Sequence, residues 1–422
     1  MMPAMNIPAI PPHPFPSALL QQLARQHGSP LWVYDAATIR ARIAELRRFP
    51  VIRYAQKANS NLHLLRLMRS EGVQVDAVSA GEIQHALAAG YDARDPVAPG
   101  IVFTADVLTA EVLALVTAHG IPVNCGSTDM LHQLGAAAPG HRVWLRINPG
   151  FGHGHSNKTN TGGEHSKHGI WHAELPAALD AVRRHGLQLV GLHLHIGSGV
   201  DYAHLSQVCD AMVALAERVA QPIQAISAGG GLSVPYRPGD ARIDTAHYHA
   251  LWEAVRRRIA AARGHDIHLE LEPGRFLVAE AGVLLAEVRA TKTMGSRFFA
   301  LVDAGFNDLA RPAMYGAHHG ISLLPPDGDI TGRPLRATTV AGPLCESGDV
   351  FTQAEGGVVL ARMLPEPRVG DLLVFHDAGA YGASMSSNYN SRPLAPEVLV
   401  DGGQPRLIRR RQTIDELLAL ER

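Results

Sequence analysis

Four short segments of the chain carry residue types that could do chemistry together. Lys57 follows the apolar run Val51–Ala55 and precedes a helical pattern, so its amine should stand at the end of a strand. An isolated lysine in such a place would read first as solvent-exposed. His193 and His195 share one face of a strand-like run by its side-chain period of two, with His195 nearer the following loop. Inward histidines are costly without partners. No nearby acid completes a recognisable metal-ligand spacing, and a ring laid against an aromatic cofactor suits His195 better. In Gly229-Gly230-Gly231 the missing side chains would let backbone N–H groups come close to a phosphate, although a glycine run alone is often only a turn. Glu272 and Arg275 stand one tight turn apart in Glu272-Pro273-Gly274-Arg275, again at the close of an apolar run.

These segments acquire a common setting from the elements between them. Candidate strands at 51–55, 73–78, 101–103, 121–124, 143–147, 187–194, 225–228 and 267–271 number eight, and amphipathic segments at 62–70, 81–89, 110–118, 175–184, 205–219 and 248–262 separate most of them. Eight such units predict an α/β fold, a (β/α)8 TIM-type barrel over residues 37–282, with a doubly wound open sheet as the rival. Beyond Gly282 the pattern changes to short β-like runs at 283–289, 298–302, 358–362, 372–375 and 397–400, separated by Gly, Pro and Asp turns. Residues 283–422 are therefore expected to form a mostly β domain that closes with a short helix near 414–420. The strand-like stretch 30–34 precedes the barrel, so residues 1–36 should join that second domain.

In a barrel of this kind, chemistry collects on the loops after the strands, and the loops after the seventh and eighth strands usually hold phosphate. Lysine, inward ring, glycine cradle and carboxylate then describe a pyridoxal 5'-phosphate site. Lys57 would form the Schiff base with the cofactor aldehyde, and Glu272 would keep a proton on the pyridine nitrogen.

Composition limits the alternatives. With 422 residues and 46% hydrophobic content the chain can bury a large core. A formal net charge of -1 gives no basic surface for nucleic acid or anionic membrane, and the run Arg409-Arg410-Arg411 reads as a solvated face. Three scattered cysteines, Cys125, Cys209 and Cys345, argue against a disulfide framework. No apolar run would span a bilayer and the proline-rich start lacks a secretory pattern, so a cytoplasmic protein is expected.

The segments Tyr54-Ala-Gln-Lys-Ala-Asn59, Ser166-Lys-His-Gly169, His193-Leu-His-Ile-Gly-Ser198, Gly229-Gly-Gly231, Glu272-Pro-Gly-Arg275, Arg311-Pro-Ala-Met-Tyr315, Gly342-Pro-Leu-Cys-Glu-Ser347 and Gly379-Ala-Tyr381 together resemble the diaminopimelate decarboxylases, of the alanine-racemase-like fold group. The likeness covers nearly the whole chain. Related ornithine and arginine decarboxylases do not share the Cys-Glu-Ser segment in this form. Gln56 stands where many relatives carry an apolar residue, and His168 where an aromatic is usual.

The resemblance implies a role for each matched residue. Lys57 would be the covalent anchor of the cofactor, His195 would stack on its ring, and Glu272 would pair with its ring nitrogen. Ser198, Gly230, Gly274, Arg275 and Tyr381 would surround the phosphate, Arg275 and Tyr381 also lying close to substrate. Arg311, Tyr315 and Glu346 would recognise the distal end of meso-diaminopimelate, and Cys345 would protonate Cα. In the family this last group reaches the cofactor of the neighbouring subunit, which implies a homodimer with shared active sites. The chemistry of the residues is compatible: the distal end of that substrate carries an ammonium and a carboxylate, which Glu346 and Arg311 complement. A racemase fits less well, since that chemistry favours a basic partner at the ring nitrogen where this chain has Glu272. A non-catalytic cofactor carrier would not need residues 283–422. The stretch 148–171, rich in Gly, Asn, Thr and His, is expected to be a mobile loop over the barrel mouth. Its His153, His155, His165 and His168 match no standard metal spacing, and no metal is expected.

Overall fold

The computed structural model of the chain describes residues 13–152, 162–195, 197 and 202–422. A helix, Ser17–His27, and a strand, β1 (Leu31–Asp35), come first. The next strands are β2 (Val51–Ala55), β3 (Gln74–Ala77), β4 (Ile101–Ala105), β5 (Val123–Cys125), β6 (Arg142–Asn148), β7 (Ile170–Trp171), β8 (Gln188–His193), β9 (Ala225–Ser227) and β10 (His268–Leu271). All of β2 to β10 except β7 pair in parallel in the order β2-β3-β4-β5-β6-β8-β9-β10, and β10 returns to β2. The sheet is a closed barrel without edges, as the eight runs predicted. The two-residue β7 pairs in parallel beside the last two residues of β6 and is not part of the closed path.

Parallel strands covered on both faces must be apolar throughout, and β2 is buried at every position. The helices between them begin at side-chain caps: Ser79, Thr109 and Ser127 each accept from a backbone N–H one turn on. The helix that Ser127 caps, Thr128–Ala137, was not expected from the sequence, where Gly135 interrupts its pattern. A Cβ at Gly135 would lie 2.3 Å from the His185 ring, so the glycine is there for packing. Within the barrel wall Arg53 and Glu270, both almost fully buried, pair at 3.0 Å, and Arg53 Nη1 also donates to the Pro99 carbonyl at 2.7 Å.

A second sheet contains β1 together with β11 (Gly282–Met294), β12 (Arg297–Val302), β13 (Ile321–Leu324), β14 (Leu335–Ala341), β15 (Arg362–Pro365), β16 (Leu372–Phe375), β17 (Glu397–Asp401) and β18 (Gln404–Arg409). Its main path is β15-β14-β12-β11-β1-β17-β18, with β16 between β11 and β13. The early strand does join this domain: β1 runs antiparallel to β11 and parallel to β17. Leu31 and Val33 pack with Leu20, Val283, Val374 and Val398 in its core. The strand expected at 358–362 reduces to an isolated bridge at Val359, and β15 begins only at Arg362. β13, β14 and β18 lack a clear apolar alternation and were not anticipated.

The chain divides into two units. One is Ala41–Ser233 with Arg242–Leu277; the other is Val234–Ala241, Val278–Arg422 and the described part of Met1–Arg40. Val234–Ala241 lies between barrel strands in sequence but belongs to the β unit. Among the described residues no helix is long and apolar enough to cross a membrane.

Candidate active site

In the barrel unit Lys57 sits in a single 3-10 turn, Gln56–Ala58, directly after β2 and exposed. The turn is pinned on both sides. Tyr54 Oη donates to the Asn59 carbonyl at 3.0 Å, and the buried Gln56 side chain donates to the Glu82 carbonyl at 3.1 Å. The amide nitrogen of the polar residue at position 56 is thus held by a neighbouring helix. Gly274 packs against the same strand end, where its Cβ would meet the Ala55 carbonyl at 3.2 Å. Arg275 opens the short helix that follows.

At the ends of β8, β9 and β10 the polar groups form a connected set. Glu272 Oε2 lies 2.8 Å from His193 Nε2, and Ser227 Oγ donates to Glu272 Oε1 at 3.1 Å. Burial pushes the Glu272 carboxyl up, but the charge and hydrogen bond of His193, with the charge of Arg53, outweigh it and hold the group down to about 2. An ionised carboxylate can only accept, so His193 Nε2 carries a proton. His195, whose ring lies nearly parallel to that of His193, accepts the Gly230 N–H at Nδ1, 2.7 Å away. Crowding by protein, then the charges of Arg146 and Lys57, drive His195 well below its ordinary value, so the ring is neutral with its hydrogen on Nε2. The Gly230 N–H is thus committed to aiming this ring. A Cβ there would sit 2.5 Å from the Glu272 carbonyl and 3.2 Å from His195, so no side chain is tolerated.

Asp76, at the end of β3, is buried and pushed well above its usual range by that burial and by the Glu272 charge, with Lys57 and a hydrogen bond from Thr104 opposing. Arg146, buried at the end of β6, feels the charges of Asp106, Glu272 and Asp76. His168 pairs with Asp106. Asn148 ties the near end of the next loop, accepting from Gly150 and Gly163 and donating to the carbonyls of Gly163 and His168. Ser198, His153 and His155 lie outside the described residues, and among the described residues no cluster of three or more His, Cys, Asp or Glu is placed to hold a metal.

This arrangement fits pyridoxal phosphate. It supplies an anionic carboxylate for a protonated ring nitrogen, an amine for the aldehyde and a flat ring, His195, that the close-packed Gly230 aims. Buried polar atoms at this end of the barrel, among them Gln56 Oε1, Asp76 Oδ1 and His193 Nδ1, have no hydrogen-bond partner among the described residues.

The β unit holds the remaining predicted residues. Arg311 begins a one-turn helix, Arg311–Tyr315, and is buried with its guanidinium over the Tyr236 ring, 4.7 Å from the centroid. Its Nη1 donates to His319 Nε2 at 3.0 Å. Tyr315 ends the helix at Gly316, which has a φ of 61° and where a Cβ would lie 2.1 Å from the Glu355 N, so only glycine fits. Cys345 and Glu346 are exposed, whereas Cys125 and Cys209 are buried. Their loop is stapled by the buried Asp349, which accepts from Leu344 and Phe306, and Asn390 Oδ1 accepts the Cys345 N–H at 3.0 Å. Tyr381 has a φ of 57°, a strained backbone for a bulky residue. Sequence reasoning missed Asp76, Arg146, Ser227, Tyr236 and His319. A charged residue inside an apolar strand was the available signal for the first two.

Comparison with known proteins agrees with this chemistry. Residues 36–279 match the pyridoxal-binding domain of the pyridoxal-dependent decarboxylases. The diaminopimelate decarboxylase of Escherichia coli strain K12 is 65% identical over 403 residues, 95% of this chain and 96% of that protein. The Streptomyces coelicolor enzyme of the same name is 66% identical over 402 residues, covering 95% and 91%. A crystal structure of a diaminopimelate decarboxylase superposes with a TM-score of 0.94 at 65% identity, covering 96% of each chain. That of the Helicobacter pylori enzyme complexed with L-lysine does so at 0.85 and 30%, covering 95% of this chain and 99% of that one. On fold, site chemistry and likeness over almost its full length, the chain belongs to the diaminopimelate decarboxylase family of pyridoxal-dependent decarboxylases.

Proposed function

We infer that the chain decarboxylates meso-2,6-diaminopimelate to L-lysine and CO2 with pyridoxal 5'-phosphate, the last step of lysine biosynthesis. The observation that carries the reading is the ionised Glu272 held by His193 at the barrel mouth, in a chain 65% identical to diaminopimelate decarboxylases. Bound pyridoxal phosphate supplies an electron sink for the pair left at Cα when the carboxylate departs.

The chain's own residues do the rest. Lys57 anchors the cofactor aldehyde. Glu272, itself fixed by His193 and Ser227, holds the proton on the ring nitrogen, and neutral His195 covers the ring. Arg275, Gly274, Gly230, Ser198 and Tyr381 surround the phosphate. Arg311 receives the distal carboxylate of substrate, Glu346 the distal ammonium, and Tyr315 lies beside them. As CO2 leaves, the Cys345 thiol gives its proton to Cα and takes another from solvent. Domain limits of 37–282 for the barrel, less the Val234–Ala241 segment that goes with the β unit, and 1–36 with 283–422 for the β domain, and a cytoplasmic location, are part of the same proposal.

Purified protein loaded with pyridoxal phosphate is expected to release CO2 and L-lysine from meso-diaminopimelate; turnover of ornithine or arginine in its place overturns the assignment. We also propose a homodimer in which Cys345 and Glu346 serve the neighbouring cofactor. Mixing inactive Lys57→Ala and Cys345→Ala chains under subunit exchange should then restore activity, and no recovery in proven mixed dimers refutes shared sites.

A further inference from the structure

We propose that His319 and Tyr236 are specificity-determining positioning residues, a neutral imidazole and an aromatic face that aim the Arg311 guanidinium at the distal carboxylate of the substrate. The inference rests on the reading of Arg311 as the group that receives this carboxylate.

Arg311 is 6% exposed and His319 3%. A buried guanidinium needs partners that orient it. Its plane is held over Tyr236 at 4.7 Å, and one edge is tied to His319 Nε2 at 3.0 Å. The direction of that hydrogen bond follows from the other side of the ring. His319 Nδ1 lies 2.9 Å from the carbonyl of His376, which can only accept. Nδ1 therefore carries the hydrogen, and Nε2 presents a lone pair to Arg311. A protonated His319 could not accept from a guanidinium, so the geometry requires a neutral imidazole.

The ring is anchored in turn. His376 follows β16; its N–H donates to the Gly320 carbonyl at 2.8 Å, and its Nε2 meets Ser322 Oγ at 2.8 Å. Tyr236 closes the third side, its ring 5.5 Å from that of His319 at 77°. This packing accounts for the placement of Val234–Ala241 with the β unit. Neither contact cancels the guanidinium charge. A carboxylate in the place of His319 would tie up the same N–H groups in an internal ion pair, whereas an imidazole and a phenol ring orient the fork without themselves adding a counter-charge. The chemistry favours a diamino acid bearing a distal carboxylate over one without it.

The test is steady-state kinetics on the full-length, cofactor-loaded enzyme. His319→Leu and Tyr236→Leu should raise KM for meso-diaminopimelate about 10- to 100-fold, the effect of loosening one hydrogen bond to a charged group, with little change in kcat. His319→Gln, whose amide oxygen can accept from Arg311, and Tyr236→Phe, which keeps the aromatic face, should recover most of that loss. His319→Glu, which keeps Arg311 paired and the fold supported, should raise KM by neutralising the fork. If Arg311→Ala leaves KM unchanged, the parent reading of Arg311 fails. If Arg311→Ala raises KM while the Leu and Glu variants do not, or if the Leu variants lower kcat with KM unmoved, the positioning role is overturned. A failure of Gln and Phe to recover KM in folded protein also overturns it.

Discussion

Replacing Glu272 with glutamine removes one charge and almost no volume, which isolates the electrostatic work assigned to that carboxylate. The amide can still accept from His193 Nε2 and meet Ser227 Oγ, the two contacts seen at 2.8 and 3.1 Å. What disappears is the anion facing a protonated ring nitrogen. Two unit charges about 3 Å apart attract by about 5 kcal/mol at an effective dielectric of about 20. Breaking a buried pair by removing one partner costs about 3–5 kcal/mol in measured cases. Since about 1.4 kcal/mol is a factor of ten in rate, kcat should fall by about 10² to 10⁴. The assay is CO2 release at saturating cofactor and substrate, with cofactor content read by absorbance so that lost binding is not mistaken for lost chemistry. A fully loaded Glu272→Gln enzyme with kcat reduced by less than about tenfold would refute the reasoning, because the charge would then contribute under about 1.4 kcal/mol.

Cys345→Ala should keep normal cofactor absorbance while lysine formation falls about 100-fold or more, as for loss of a general acid; unchanged turnover removes the thiol from the mechanism. Arg53→Met leaves Glu270 buried without its 3.0 Å partner, which burial already pushes toward protonation. A stability loss of about 3–5 kcal/mol should appear as a melting midpoint lowered by roughly 10 °C, and an unshifted midpoint rejects the pair as structural. Asp76, raised well above 3.8 in the folded chain, binds a proton on folding. Its contribution is therefore complete below its unfolded value and is lost as pH rises through the folded one. In cofactor-free protein the melting advantage of Asp76→Asn over the parent should widen from about pH 5 to about pH 8; a constant gap contradicts the buried-acid assignment.

Much of the barrel was legible because a strand covered on both faces has little choice but to be apolar. The strand ends then followed from geometry, and Lys57, His195 and Glu272 do fall where β2, β8 and β10 finish. The pairing among them was hidden. A period of two places His193 and His195 on one side of a strand, but it does not say that His193 would hold Glu272 and that His195 would accept from Gly230. Those partners come from different strands, and only barrel closure brings them together. Tyr236 was lost for a related reason: nothing in Val234–Ala241 announces that its tyrosine packs with Arg311 and His319 rather than with the strands on either side of it in sequence. β14, with Arg and Thr where apolar residues were sought, takes its place from pairing with β12 and β15.

The position of β1 between β11 and β17 sets an order for the protein's assembly as it is made. The barrel strands are complete once Leu271 has emerged, so that unit can close on its own residues. β1 has left the ribosome long before and cannot settle. One of its edges waits for β11, and the other waits for β17, whose Glu397 receives the Tyr34 hydroxyl from 363 residues away. Until then Leu31–Asp35 is a strand with open edges, apolar for most of its length and able to pair with another nascent chain. A chain halted before Glu397 would thus carry a finished barrel and a lasting adhesive end, and the hazard is removed only once β17 has been made.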